Sequence, residues 1–92
     1  MGIEPGPLEL ALRRSFSGTR GESRVVVRQA ADLAASGRYE RDVGTTLTND
    51  VVLEELDDAP SGSPADRWNW WIGSLEVAYG GYHEFGIHRY RG

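Results

Sequence analysis

Two histidines and a glutamate near the end of the sequence have side chains that suit metal binding. His83, Glu84 and His88 carry imidazole and carboxylate groups, the usual ligands left to a chain without cysteine. Their spacing does not fit, because residues five apart fall on opposite faces of a strand and off one face of a helix. The zinc-protease pattern of histidines four apart is also absent. The sequence therefore predicts no metal site, and no motif indicates a cofactor.

A stretch rich in glycine and serine, 17–23, leads into a predicted helix. The N–H groups at a helix start bind anions, and Arg20 and Arg24 stand beside this one. The stretch lacks the lysine and the glycine spacing of a phosphate-binding loop. We interpret it as a mobile connection.

Several carboxylates could be paired for acid and base chemistry. No histidine, serine or lysine is placed to complete a mechanism with them. Exposed acids are also expected in a chain with fourteen acidic residues and a net charge of −4. We interpret them as a solvated surface. Of the three function classes considered, an enzyme is therefore ranked third. These acids are Glu54, Glu55, Asp57, Asp58 and Glu76.

Basic and aromatic residues alternate at the end of the sequence, as in surfaces that stack on single-stranded nucleic acid. Arg89, Tyr90 and Arg91 are the candidate contacts, with Tyr82 and His88 near them. Against this interpretation, the net charge is acidic and no helix face gathers positive charge. Weak nucleic-acid binding is therefore the second choice.

The function class ranked first is indicated by the tryptophan-rich stretch, 63–82, which holds all three tryptophans. One row of this stretch combines an aromatic residue and a valine with small residues, and it falls roughly opposite the predicted core stripe. Such a row predicts a helix-docking seam, although a helix buried on all sides is the alternative. We expect a non-enzymatic interaction domain, most simply a homodimer through paired central helices. The candidate interface residues are Trp70, Gly73, Ser74, Val77 and Gly81.

The central element that must position this row is a predicted helix over 63–79. Ser63 suits the N-cap, Pro64 the first helical position and Asp66 the third, while Gly80 or Gly81 can end the helix. Helical spacing then gathers an apolar stripe that predicts the core. Its members are Trp68, Trp71, Ile72, Leu75, Tyr79 and Tyr82.

Three further helices are predicted over 7–16, 24–36 and 49–59, with Ser23 and Thr48 as N-caps of the last two. Segment 38–47 has no sustained period, and we expect Tyr39, Val43 and Leu47 to anchor it as a loop. The helix over 49–59 ends in acidic residues, and negative charge is unfavourable at a helix C-terminus. An arginine close to this end is needed to offset the charge.

The tail after Gly81 alternates apolar and polar residues like a strand. The fold class is therefore mainly α, a four-helix domain with an extended C-terminal tail. The alternative is an α+β fold in which residues 80–82 turn a C-terminal β-hairpin.

Composition fits one small soluble domain of 92 residues, with 39% hydrophobic and 26% charged residues. No apolar run could span a bilayer and no signal segment is evident, so we expect a cytoplasmic protein without membrane contact. All ten basic residues are arginine, which together with the acidity fits either codon bias or a high-salt cytoplasm.

The sequence DRWNWWIGSLEVAYGGY, with its flanks LTNDVVLEELDDAP and YHEFGIHRY, resembles a family of small uncharacterised proteins from halophilic archaea. The resemblance covers roughly the C-terminal half and implies no activity.

Overall fold

Helices account for most of the fold in a computed structural model that describes residues 2–16 and 18–87. The predicted mainly α class is confirmed, and the described residues form five α-helices instead of four. No strand occurs in the described ranges, so the alternative with a β-hairpin is wrong. The helices are α1 (Pro5–Ser15), α2 (Arg20–Ser36), α3 (Arg38–Val43), α4 (Asn49–Asp57) and α5 (Pro64–Tyr79), followed by a short 3₁₀ turn at His83–Phe85.

The central helix α5 begins and ends as its local chemistry predicts. The Ser63 hydroxyl accepts a hydrogen bond from the N–H of Asp66, and the Asp66 carboxylate accepts one from the N–H of Ser63. This reciprocal capping box satisfies two N–H groups that have no partner inside the helix. Gly80, with φ of 78°, ends the helix in a conformation that residues with a side chain rarely adopt.

The apolar stripe of α5 forms the centre of the core. Trp68, Trp71, Ile72 and Leu75 are buried, as predicted. The rings of Trp68 and Trp71 meet edge to face with centroids 5.3 Å apart, a favourable aromatic geometry. The helix packs against α2 and α4, while α1 packs against α2. Tyr79 was also expected in this stripe, but it is half exposed because it lies in the last turn, beyond the packed helices.

Helix α2 begins one turn earlier than the sequence predicts. Its N-cap is Thr19, whose hydroxyl accepts from the N–H of Glu22, whereas Ser23 is buried inside the helix. The predicted cap at Ser23 is therefore wrong, and so is the mobile connection over 18–23. Gly18 lies against Pro64, where an added Cβ would come within 2.7 Å of the proline ring.

Glu22 joins the starts of α2 and α5. Its buried carboxylate accepts a hydrogen bond of 2.8 Å from the N–H of Ala65. A carboxylate at a helix N-terminus interacts favourably with the free N–H groups and with the helix dipole. The region read as a linker thus positions the start of the central helix.

Helix α3 occupies the first part of the predicted loop over 38–47, and residues 44–47 remain outside any helix. It follows directly after Gly37, whose φ of 74° ends α2 and redirects the chain. Tyr39 and Leu47 are buried anchors as expected. Val43 is not, because it lies at the exposed end of this short helix with 38% of its surface accessible.

Helix α4 has the predicted cap and the arginine that its acidic end requires. The Thr48 hydroxyl accepts from the N–H of Val51. At the other end, the Arg67 guanidinium donates to the carbonyls of Leu56 and Ala59, at 3.0 and 3.3 Å, and covers the ring of Phe16. The cation thereby satisfies carbonyl groups that have no partner inside the helix.

The segment after α5 is folded onto the core and is not extended up to residue 87. Tyr82 is fully buried, and its hydroxyl donates to the Asp42 carboxylate at 2.8 Å. The Trp68 indole N–H donates to the carbonyl of Phe85 at 2.8 Å. The strand-like alternation was therefore misleading, since Phe85 and Ile87 are buried by a turn. Within the described ranges, no helix has the length and apolar character needed to cross a membrane.

Candidate functional site

One side of α5 faces away from the core, and we call it the Trp70 face. Its residues, Trp70, Gly73, Ser74 and Val77, are all exposed. Trp70 is 42% accessible and Val77 is 89% accessible. These are large apolar groups left in contact with solvent. The structure therefore places four of the five predicted interface residues on one open surface.

The rotation of α5 explains why tryptophans so close in sequence have different environments. Successive residues of a helix are turned by about 100°, so Trp68 and Trp71 share the core side while Trp70 points away. Trp68 is fully buried and Trp71 is 3% accessible. The Ser74 hydroxyl donates back to the carbonyl of Trp70 at 3.2 Å, which satisfies this polar group within the helix.

Gly81, the fifth predicted interface residue, is also exposed, but it lies against an arginine side chain. Its carbonyl accepts a hydrogen bond from the guanidinium of Arg38, which also lies over the Tyr82 ring. An added Cβ at Gly81 would meet the same guanidinium. The predicted row therefore ends against a cation instead of continuing as an apolar seam.

A cleft of about 230 Å³ lies on the flank of the Trp70 face and shares Gly73 with it. The sequence did not predict this cleft. The spacing of Asn69, Gly73 and Glu76 places these three residues along one edge of a helix, and it is the sequence signal that indicates this wall of the cleft. The cleft is lined by Asn69, Ile72, Gly73, Glu76, His83, Gly86 and Ile87.

Glu76 supplies the carboxylate of this cleft. Its Oε1 accepts hydrogen bonds from the N–H groups of Tyr82 at 2.7 Å and His83 at 2.9 Å. The pKa of Glu76 is lowered, mainly because the Tyr82 N–H stabilises the ionised form, and the N–H groups of Gly81 and His83 act in the same direction. The Glu76 carboxylate is therefore ionised at neutral pH, and the imidazole of His83, another residue of the cleft, favours the ionised form as well.

Asn69 fixes the opposite wall of the cleft. Its side-chain amide donates to the carbonyl of Ile87 and its oxygen accepts from the N–H of Ile87, both at 2.7 Å. The same segment is held from α2 by Gln29, which donates to the carbonyls of Phe85 and Gly86. These contacts give the cleft a defined shape.

The other perturbed groups have structural causes. Burial raises the pKa of Tyr82, with the Asp42 carboxylate acting in the same direction. Burial also raises the pKa of Tyr39 and of Glu55, and the nearby Asp58 adds to the shift of Glu55. Glu54, Asp57 and Asp58 are exposed at α4 and its end, in keeping with the solvated surface predicted for them.

Several predicted residues lie outside the described ranges. These are His88 of the rejected metal pattern and the candidate nucleic-acid contacts Arg89, Tyr90 and Arg91. Within the described ranges, no three histidine or acidic side chains come together as a metal site would need.

Comparison with known protein families gives a match over most of the chain. A family model described as the WNWW domain matches residues 2–76, which is most of the chain. The sequence Trp-Asn-Trp-Trp itself stands at residues 68–71 of α5. No curated protein and no solved structure matches. The matched region ends at Glu76, before the folded segment that contributes Tyr82, Phe85 and Ile87 to the core.

Proposed function

The chain belongs to the WNWW domain family, and we propose that it is a small non-enzymatic interaction domain that forms a homodimer through the Trp70 face. The observation that carries this proposal is the 42% accessibility of Trp70, beside the near-complete burial of Trp68 and Trp71. The fold uses two tryptophans for its core and leaves the third outside. Tryptophan is among the residues most enriched at the energetic centres of protein interfaces.

The shape of the face supports pairing with another helix. Between Trp70 and Val77 stand Gly73 and Ser74, so the backbone of α5 is accessible from outside. A Cβ built at Gly73 meets nothing within 4 Å, which leaves space for atoms of a partner. Small residues of this kind let two helices approach closely, while the large apolar neighbours supply the buried area.

Self-association is the most economical form of the proposal. Closed two-fold dimers are the commonest oligomers, and a two-fold contact buries the same patch on both chains. In such a contact, Trp70 of each chain covers apolar surface of the other. The acidic residues of α4 lie on a different helix, so their mutual repulsion is not concentrated at the pairing surface.

The test is the oligomeric state of the wild type and of Trp70→Glu. We expect sedimentation equilibrium to show a concentration-dependent dimer for the wild type. Trp70→Glu should shift it to a monomer, because a charge would be buried against apolar surface. Circular dichroism and the denaturant midpoint should stay close to those of the wild type, because Trp70 is not needed for the core.

The matched control is Leu10→Glu. Leu10 is also a large apolar residue, is 47% accessible and lies on α1, away from the Trp70 face. Its replacement should leave the dimer intact. A wild type that remains monomeric at high concentration, or a dimer that Leu10→Glu disrupts and Trp70→Glu does not, would contradict the proposal. Nucleic-acid binding through Arg89 and Arg91 stays a prediction, tested by titration with single-stranded nucleic acid at low salt.

A further inference from the structure

We propose that α2 and α5 form a peptide-binding groove, and that residues 82–87 fill it as a separable strap that leaves and returns while the helices stay folded. The groove consists of polar side-chain groups from the two helices, those of Gln29, Trp68, Asn69 and Glu76. None of these four residues belongs to the Trp70 face. The inference therefore goes beyond the proposed homodimer and does not depend on it.

Two groove side chains bind carbonyl groups in the second half of the strap. The Gln29 amide donates to the carbonyls of Phe85 and Gly86, at 3.3 and 3.2 Å. The Trp68 indole N–H donates to the same Phe85 carbonyl at 2.8 Å. Both helices thus converge on one point of the strap. Every peptide has such carbonyl groups, so these contacts bind a backbone and give affinity without selecting a side chain.

The other two groove side chains bind the two ends of the strap. Asn69 donates to the carbonyl of Ile87 and accepts from its N–H, both at 2.7 Å. Glu76 accepts from the N–H groups of Tyr82 and His83, at 2.7 and 2.9 Å. A side-chain amide that pairs with both backbone groups of one residue reproduces the paired hydrogen bonds of a neighbouring strand. The strap is therefore held from end to end in the way that a site holds a bound peptide.

Three side chains of the strap supply its apolar anchors. Tyr82, Phe85 and Ile87 are buried, whereas His83 and Glu84 are exposed. Backbone contacts combined with pockets for some of the side chains are typical of peptide recognition, and the pockets provide the specificity. The groove therefore suits a short peptide with two aromatic residues and one aliphatic residue at the spacing of positions 82, 85 and 87.

The connection between the strap and α5 permits separate movement. Gly80 and Gly81 have φ of 78° and 82°, a region that glycine enters without strain. A few residues at the end of an element, able to absorb a change in φ and ψ, are enough for a hinge. The turn inside the strap is closed by its own hydrogen bond, from the N–H of Phe85 to the carbonyl of Tyr82 at 2.9 Å.

The family match separates the groove from its occupant. All four groove residues lie within the matched residues 2–76, and the strap lies beyond them. Trp68 and Asn69 are the first two residues of the sequence Trp-Asn-Trp-Trp. The matched domain thus contains the binding groups, and a segment outside the match fills the site. This is the arrangement of a domain with an intramolecular ligand.

The first experiment is native-state hydrogen exchange on the full chain. We expect the amides of Tyr82 and Ile87 and the indole of Trp68 to share one protection factor. It should be at least about tenfold below that of Leu33 in the core of α2, because the strap opens without global unfolding. It should also depend less steeply on denaturant, since opening exposes less surface than unfolding. A protection factor equal to that of Leu33 would overturn the proposal.

The second experiment measures peptide binding in trans. Phe85→Asp in the full chain replaces an anchor by a charge and should release the strap, while circular dichroism stays helical. The probe is acetyl-GYHEFGI-amide, which has the sequence of residues 81–87, and the matched probe carries Phe85→Asp. We expect amide shifts at Gln29 and Asn69 with the first probe only. Adding Asn69→Ala should weaken binding about tenfold, because two hydrogen bonds are lost.

The wild type and Glu84→Ala are the control chains. The tethered strap competes with the probe at a roughly millimolar effective concentration, so the wild type should bind it at least about tenfold more weakly than Phe85→Asp does. Glu84 is exposed on the strap, so Glu84→Ala should behave like the wild type. A Phe85→Asp chain that loses its helices would overturn the separable strap. A folded one that binds both probes equally, or neither at millimolar concentration, would overturn the groove.

Discussion

The two sides of α5 use similar residues for different purposes. On the core side, Trp68 and Trp71 are enclosed by neighbouring helices, and Trp68 also donates a hydrogen bond to the carbonyl of Phe85. On the outer side, Trp70 and Val77 have no such enclosure and stand beside Gly73. The type of residue therefore does not decide its role in this helix. Its angular position relative to α2 and α4 does.

The largest expected difference between the two sides is in the free energy of unfolding. We expect Trp71→Ala to lower it by about 3 to 5 kcal/mol, because a large buried side chain and its contacts with Trp68 and Tyr39 are lost. Trp68→Ala should behave similarly. Trp70→Ala should cost about 1 kcal/mol or less, since surface substitutions are usually mild.

Chemical denaturation at a protein concentration too low for dimers measures this contrast. A Trp71→Ala variant with the midpoint of the wild type would show that the core stripe is assigned to the wrong side. Equal losses for Trp70→Ala and Trp71→Ala would remove the contrast between the two sides.

A second prediction concerns the cap that sets the start of α5 and touches neither side. Ser63→Ala removes the hydroxyl that accepts from the Asp66 N–H, and we expect a loss of about 0.5 to 2 kcal/mol. Ser63→Asp, which keeps an acceptor, is the control and should recover most of this loss. Thermal unfolding of the three chains gives the comparison, and identical curves would show that the capping box contributes nothing.

A third prediction gives opposite signs for folding and pairing. Gly73→Ala should stabilise the isolated chain by about 0.5 to 1 kcal/mol, because alanine favours a helix and its Cβ has open space here. The same methyl group should weaken the homodimer, since it stands where a second helix would approach. Denaturation and sedimentation measure the two effects separately. A Gly73→Ala dimer tighter than the wild type would contradict close pairing at this position.

The smallest effect is expected at Val77. Because its side chain is 89% accessible, Val77→Ala should change the free energy of unfolding of the monomer by less than about 0.5 kcal/mol. Any measurable weakening should then appear in the dimer alone. A clear loss of monomer stability would mean that Val77 packs within its own chain, which would contradict its assignment to the exposed side of α5.

The sequence predicted α5 well because the signals at its ends are local. Ser63, Pro64 and Asp66 identify the start, and Gly80 identifies the stop, without any knowledge of the tertiary fold. The burial of Trp68 and Trp71 follows from the helical period. Thr48 at the start of α4 is a further case in which one hydroxyl and its neighbours were sufficient.

The failures came where distant contacts decide the structure. Glycine and serine around Gly18 suggested a mobile connection, but Glu22 and Pro64 hold that region against the start of α5. Six residues are too few for α3 to show a period. The cleft was missed because its walls come from α5 and from residues 83–87, and the turn after Gly80 brings them together.

The hydrogen bonds from Gln29 to Phe85 and Gly86 also bear on how the protein forms as it leaves the ribosome. They join residues 56 and 57 positions apart in sequence, and such distant contacts slow folding because a long loop must close first. Helices α1 and α2 emerge well before residues 82–87, which complete the core. Until residues 82–87 have been synthesised, the indole of Trp68 lacks its acceptor and Tyr82 cannot fill its place. The apolar residues of α1 and α2 therefore wait longest for their partners, because α5 and residues 82–87 are synthesised after them.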